Sequence, residues 1–390
     1  MSHAAHDFDR VIDRRRTDSN KWRKYGPDVL PLWVADMDFP APAPVVAALR
    51  ARVEQATFGY AVEDPELHEV LADRMAKRYG WRVSPEAIVA IPGVIPGFNV
   101  AGRATLAPGD GVLMQLPVYP PILRCPDNLG ATRDEALLAR RADGGYEVDP
   151  DALERAIHPR TRMLLLCNPH NPVGRVLTRA ELSRIAEIAL RHGLAICADE
   201  IHCELTFNGH QHVPIASLSP EVEARTVTLM APSKTFNLPA LKTAVAIIPN
   251  AALRERFVAA QADLVRAVNV LGYTAMLAAY RDAQPWLDDL LRYLEGNRDF
   301  LVRYVREQLP GVSMAVPDGT YLGWLDCREA RLPGDDAFTF FLERARVAFN
   351  DGAAFGAPGR GFVRLNFGCP RATLTEALER MRAALTAPGR

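Results

Sequence analysis

Met163-Leu164-Leu165-Leu166-Cys167, followed at once by Asn168-Pro169-His170-Asn171-Pro172-Val173-Gly174, decides the fold. Five apolar residues in a row without polar alternation, stopped by a turn-forming run, read as a strand covered on both faces. The same signature recurs at Ile88–Ile91, Gly111–Leu116, Leu194–Ala198, Val227–Met230 and Thr243–Ile248. Helical patterns lie between several of them. Ser84-Pro85-Glu86 and Asp149-Pro150-Asp151 set a capping side chain before Pro at a first helical position, and Thr178-Arg179-Ala180-Glu181 reads as a capping box opening a helix to about His192. Strands alternating with helices give an α/β fold with a mostly parallel central sheet. Ligands of such sheets bind beyond the carboxyl ends of the strands, so the loops after them are where chemistry is expected.

Beyond residue 250 the pattern changes. Ala251–Ala283 and Trp286–Leu309 read as long helices, followed by candidate strands at Val312–Val316, Tyr321–Leu325 and Phe362–Leu365, a helix near Asp336–Ala345 and a last helix from Thr373. This predicts a smaller α+β domain. The first ~40 residues are too short for a core of their own and are expected to drape over their neighbours. The division expected is a large domain over 46–284 and a small one from 1–45 and 285–390.

Composition narrows the function classes. The 390 residues carry 46 Lys plus Arg against 47 Asp plus Glu, a net charge of −1, which gives no electrostatic footprint for nucleic acid or an anionic membrane. No apolar run approaches the length of a bilayer span, and Met1–Arg10 has no apolar core of a secretory signal, so a cytoplasmic protein is expected. Six cysteines form no C-x-x-C pair, and Cys167 and Cys197, which lie in apolar runs, read as small core residues. His210 and His212 form an H-x-H that reads as part of a solvated loop.

Three of the strand-end loops hold polar groups of a particular kind. Asn171 follows the Met163–Cys167 run, Asp199-Glu200-Ile201-His202 follows Leu194–Ala198, and Ala231-Pro232-Ser233-Lys234-Thr235-Phe236-Asn237 follows Val227–Met230. Singly, Asp199 could cap a helix, Asn171 could be a turn residue and Lys234 a solvated lysine. Together, N-P-x-N-P-x-G, D-E-I-H and S-K-T-F-N resemble the fold-type I pyridoxal 5′-phosphate (PLP) enzymes of the class I/II aminotransferase family, and the resemblance covers nearly the whole chain.

The resemblance implies a role for each residue. Lys234 forms the imine with the cofactor aldehyde and acts as base, which requires a lowered pKa. Asp199 keeps the pyridine nitrogen protonated. Asn171 donates to the ring oxygen O3′, and His202 stands where many relatives carry a tyrosine with that function. Tyr119 matches the aromatic that stacks on the ring. Gly93, Val94 and Ile95, between a strand and a helix, would turn backbone amides toward the phosphate. Ser233 adds a hydroxyl, and Lys242 falls where relatives place a phosphate-binding arginine; Ala231 stands where many have a serine. Tyr60 matches a tyrosine that reaches the neighbouring subunit's phosphate, which implies at least a homodimer with a shared active site. Arg364 matches the arginine that binds the substrate α-carboxylate, a site that Tyr119 and Asn171 also border.

Within the family, Asp9–Arg15, Trp33-Val34-Ala35-Asp36-Met37-Asp38-Phe39 and Val347–Gly352 are similar to the C–S lyase branch of MalY/PatB, cystathionine β-lyase-like type. That implies α,β-elimination on an L-amino acid bearing sulfur on Cβ. An aminotransferase would use the same Lys234, Asp199, Asn171 and Arg364. A PLP-binding regulator without turnover is the third reading, although no basic DNA-binding domain precedes the fold.

Overall fold

The structure, a computed structural model, describes residues 6–262, 264–265, 267–333 and 336–387. Its centre is a seven-stranded sheet. In chain order the strands are β1 (Ile88–Ile91), β2 (Gly111–Leu116), β3 (Thr132–Leu137), β4 (Thr161–Cys167), β5 (Ala195–Asp199), β6 (Thr226–Met230) and β7 (Ala244–Ile247). Their spatial order is β1-β7-β6-β5-β4-β2-β3. β7 alone is reversed: it pairs antiparallel with β1 and β6, while the remaining pairs are parallel. The amino end of β7 therefore meets the carboxyl ends of the other six along one edge.

β2, β4 and β6 are buried almost throughout, the polar Gln115 of β2 and Thr226 and Thr228 of β6 included, as strands covered on both faces are. One layer of core joins Phe98 and Val100 of the helix Val94–Thr105 to Met114, Leu165 and Leu229. The other joins Leu164, Leu166 and Ile196 to Leu182 and Ile185 of the helix Arg179–Arg191. The capping box expected at its start is present, with Thr178 and Glu181 satisfying each other's backbone amides. β3 has no apolar run to announce it. It is an edge strand with most side chains in solvent, so its sequence, Thr-Arg-Asp-Glu-Ala-Leu, is polar.

The C-terminal part builds a three-stranded antiparallel sheet in which Phe362–Asn366 lies between Leu322–Asp326 and Asn350–Asp351. Asn350 and Trp324 both pair with Arg364, so the three side chains share a face. The N-terminal segment is tied here too, through Leu30–Pro31 paired with Val347–Ala348.

Two expectations are corrected. The stretch 251–283 is two helices, Ala251–Gln261 and Val270–Asp282. Ala262 at φ +45° ends the first, and Asn269 starts the second by accepting from the Gly272 amide. Val312–Val316 is not a strand; Ser313 alone exchanges backbone bonds with Asp326.

Candidate active site

The sheet edge gathers the expected residues around one cavity of about 230 Å³. Gly93, Val94 and Ile95 arrive from the end of β1, Tyr119 from β2 and Asn171 from β4. Asp199 and His202 come from β5, Ser233 and Lys234 from β6, and Lys242 from the start of β7. Arg364 enters from the C-terminal sheet. Tyr60 is the exception: it is fully exposed, away from this cavity.

Asp199 is the last residue of β5, in register with Cys167 and Leu229 on the flanking strands. Desolvation there pushes its carboxyl up to about 7, against the opposing effects of the Ile201 amide and the Lys234 charge. Lys234 sits in the single turn Pro232–Thr235 that follows β6. Burial, and next the positive charge of Arg364, bring its amine down to about 8. Its Nζ donates to the Ala35 carbonyl at 2.7 Å.

Arg364 donates to Asn171 Oδ1 at 2.8 Å, Asn350 Oδ1 at 2.6 Å and the Trp33 carbonyl at 3.1 Å, and lies over the Phe355 ring. Every one of these acceptors is neutral. Burial brings its guanidinium down to about 10, and its Nε has no partner among the described residues. A buried cation without a counterion is costly and calls for an anion. The arrangement is not the internal salt bridge a buried strand arginine often makes.

The cavity fits pyridoxal phosphate on three observations. The helix Val94–Thr105 begins without a side-chain cap, from Gly93 at φ +129°, leaving first-turn amides for a phosphate. Buried His202 has an Nδ1 without a partner among the described residues, free to bond a ligand atom, and desolvation holds its imidazole neutral. Asp199 is a desolvated carboxyl facing the cavity, the partner a pyridinium nitrogen requires.

Sequence reasoning missed Ile201, Cys167 and Thr243, which also line the cavity, and Asn350, which holds Arg364. The Trp33–Phe39 stretch, which the sequence marks only by its likeness to the C–S lyase branch, also borders the cavity through Val34 and Ala35. Its contribution here is backbone carbonyls: Trp33 accepts from Arg364 and Ala35 from Lys234, while the Trp33 indole turns away to the Lys21 carbonyl. His212 corrects the solvated-loop expectation. It is buried against Glu200, with Nε2 to Oε2 at 2.8 Å, behind the Asp199 loop.

The chain belongs to the family described as Aminotransferase class I and II, whose pattern matches residues 27–381. Within it, the similarity lies with the C–S lyase branch. Cystathionine beta-lyase PatB of Bacillus subtilis (strain 168) is 39% identical over 97% of this chain and 100% of its own length. The crystal structure of OvoB superposes with a TM-score of 0.93 at 44% identity, covering 98% of this chain and 99% of the other. Cystalysin from Treponema denticola, which contains a pyridoxal 5′-phosphate cofactor, gives a TM-score of 0.93 at 32% identity over 97% of this chain and 98% of its own.

Proposed function

We propose that this chain is a PLP-dependent carbon–sulfur lyase that splits L-cysteine-derived thioethers such as cystathionine into a thiol, pyruvate and ammonia. The observation that carries the reading is the convergence on one cavity of a desolvated lysine, a desolvated carboxyl and a buried arginine with no carboxylate partner among the described residues.

When bound, pyridoxal phosphate supplies a protonated ring that takes up the electron pair left as Cα loses its proton. Asp199 holds the proton on the ring nitrogen. Asn171 and His202 donate to the ring oxygen, and Tyr119 covers a face of the ring. The amides of Val94 and Ile95, with Ser233 and Lys242, hold the phosphate. Arg364 binds the substrate α-carboxylate through its fork, and Asn350 keeps that fork in place. With an amine brought down to about 8, Lys234 has an appreciable neutral fraction at physiological pH, far above that of an ordinary lysine, and that form removes the Cα proton. The C–S bond breaks as the electron pair moves to form the Cα–Cβ double bond; the thiolate leaves, and water converts the remaining three-carbon unit to pyruvate and ammonia.

The large unit is taken as 46–284, with 1–45 and 285–390 forming the small one. The working assembly is a homodimer. Phe58, Tyr60 and Val62 are exposed together, an apolar group that a second copy would cover, with Tyr60 then free to reach that copy's phosphate. Among the described residues no helix is long and apolar enough to cross a membrane.

The reading is tested by incubating PLP-reconstituted protein with L-cystathionine. Release of thiol and pyruvate in equal amounts supports it; a keto acid that retains the sulfur would assign aminotransferase chemistry instead.

A further inference from the structure

The Val34–Phe39 segment crosses the mouth of the cavity without joining a sheet. Its backbone polar groups are met by side chains from distant parts of the chain. Lys21 Nζ reaches the Asp36 carbonyl at 2.7 Å and the Asp38 carboxylate at 2.7 Å. Asn366 donates to the carbonyls of Val34 and Asp36, and the Tyr321 hydroxyl to that of Ala35. Asn237 ties the segment to the chain that carries Lys234. Its Oδ1 accepts from the Met37 amide at 3.1 Å, and its Nδ2 donates to the carbonyls of Met37 at 3.0 Å and Phe39 at 2.9 Å.

Asn237 lies three residues after Lys234, just past the turn that carries the lysine, at φ +57°. Left-handed backbone suits asparagine better than any side chain other than glycine's hydrogen. The carboxamide also both donates and accepts, which this three-bond pattern needs. Two residues upstream of Met37, the Ala35 carbonyl receives Lys234 Nζ; four upstream, the Trp33 carbonyl receives Arg364. The Lys21, Asn366 and Tyr321 bonds, and Arg14, which shares the Met37 carbonyl at 3.2 Å, hold the segment from other sides; Asn237 is the clamp that ties it to the lysine turn, and with it the places of the base and the carboxylate-binding cation.

We propose that Asn237 is a positioning residue: it locks the Trp33–Phe39 strap to the Lys234 turn, so that Lys234 and Arg364 are registered against each other through a shared stretch of backbone. The kinetic part of this inference rests on the lyase reading; the structural part does not.

The test compares wild-type holoenzyme with Asn237→Gly, which suits the backbone conformation, and Asn237→Asp, which keeps the volume and the acceptor but removes both donated bonds. Hydrogen exchange should be about tenfold faster across 33–39 in both variants, with the rest of the central sheet unchanged. The midpoint of the pH-dependent cofactor absorbance should move, because the Lys234 environment changes. With L-cystathionine, kcat should fall and KM should rise, together lowering kcat/KM about 10²-fold, with Asn237→Asp less affected than Asn237→Gly. Wild-type exchange across 33–39 in both variants would overturn the proposal. Faster exchange with an unmoved absorbance midpoint would also overturn it, by making the clamp mere scaffolding. Should the wild type show no lyase turnover, the function reading fails, while exchange and absorbance still decide the role of Asn237.

Discussion

Asp199 and Lys234 set up opposite titrations in the same cavity. The folded Asp199 carboxyl sits at about 7 against an ordinary 3.8, so between those values the folded chain holds a proton that the unfolded chain has lost. Stability from this group is therefore present below about pH 4 and declines as pH rises toward 7. Asp199→Asn is predicted to stabilise the cofactor-free protein at pH 8 by about 1–3 kcal/mol, with little difference below pH 4, in urea unfolding curves. The same change should weaken PLP binding, since the amide no longer offers a charge to the ring nitrogen. Arg364→Lys retains a cation but not the fork held between Asn171 and Asn350. Its KM for an α-amino acid should rise about 10- to 100-fold, measured in steady-state kinetics. These side chains were readable in the sequence because the motifs that carry them, after buried strands and within the strand Phe362–Asn366, resemble a known family; taken singly, each had a plain structural reading. The Ala35 and Trp33 carbonyls were not, because a backbone acceptor leaves no mark on residue identity. Asn350 was hidden for a related reason: its partner lies 14 positions along the chain, on a neighbouring strand.

At the scale of elements, apolar runs and caps decided what was legible. β1, β4, β5 and β7 are built on unbroken apolar runs, β2 and β6 interrupt theirs only at Gln115 and at Thr226 and Thr228, and all six were found to within a residue or two. β3 escaped because an edge strand can be polar, and the break within 251–283 escaped because neither Gly nor Pro marks it. That break is made by tertiary contact: Asn269 Nδ2 donates to the Leu241 carbonyl, fixing the second helix beside the loop that leads to Lys242. The phosphate end of the cavity depends on how closely the helix Val94–Thr105 approaches the sheet. A Cβ on Gly97 would lie 2.5 Å from Ile91 Cδ1 and 3.0 Å from Leu229 Cδ2. Gly97→Ala should therefore push the helix off β1 and β6, costing about 1–3 kcal/mol and lowering PLP affinity. Thermal denaturation of the cofactor-free protein and a cofactor titration check the two halves separately; an unchanged midpoint would show that the side chains yield instead.

At the scale of the molecule, the cavity is built by two sheets and the N-terminal strap between them, which is why residues more than 300 positions apart, such as Trp33 and Arg364, meet. The α/β class was readable from alternation alone, but the strap's path was not, since it belongs to no strand or helix. The exposed Phe58, Tyr60 and Val62 extend the account to a second copy. Sedimentation equilibrium should give about twice 43.0 kDa, and Tyr60→Phe should lower PLP affinity without changing that mass; a monomer that binds PLP tightly would remove Tyr60 from the site. In the proposed reaction Lys234 moves the Cα proton of a substrate whose Cβ–S bond then breaks. Single-turnover product analysis of Lys234→Ala and wild-type protein with L-cystathionine puts this to the test. Wild-type protein should yield stoichiometric pyruvate and thiol, and the variant neither. Pyruvate and thiol from Lys234→Ala at the wild-type rate would contradict it.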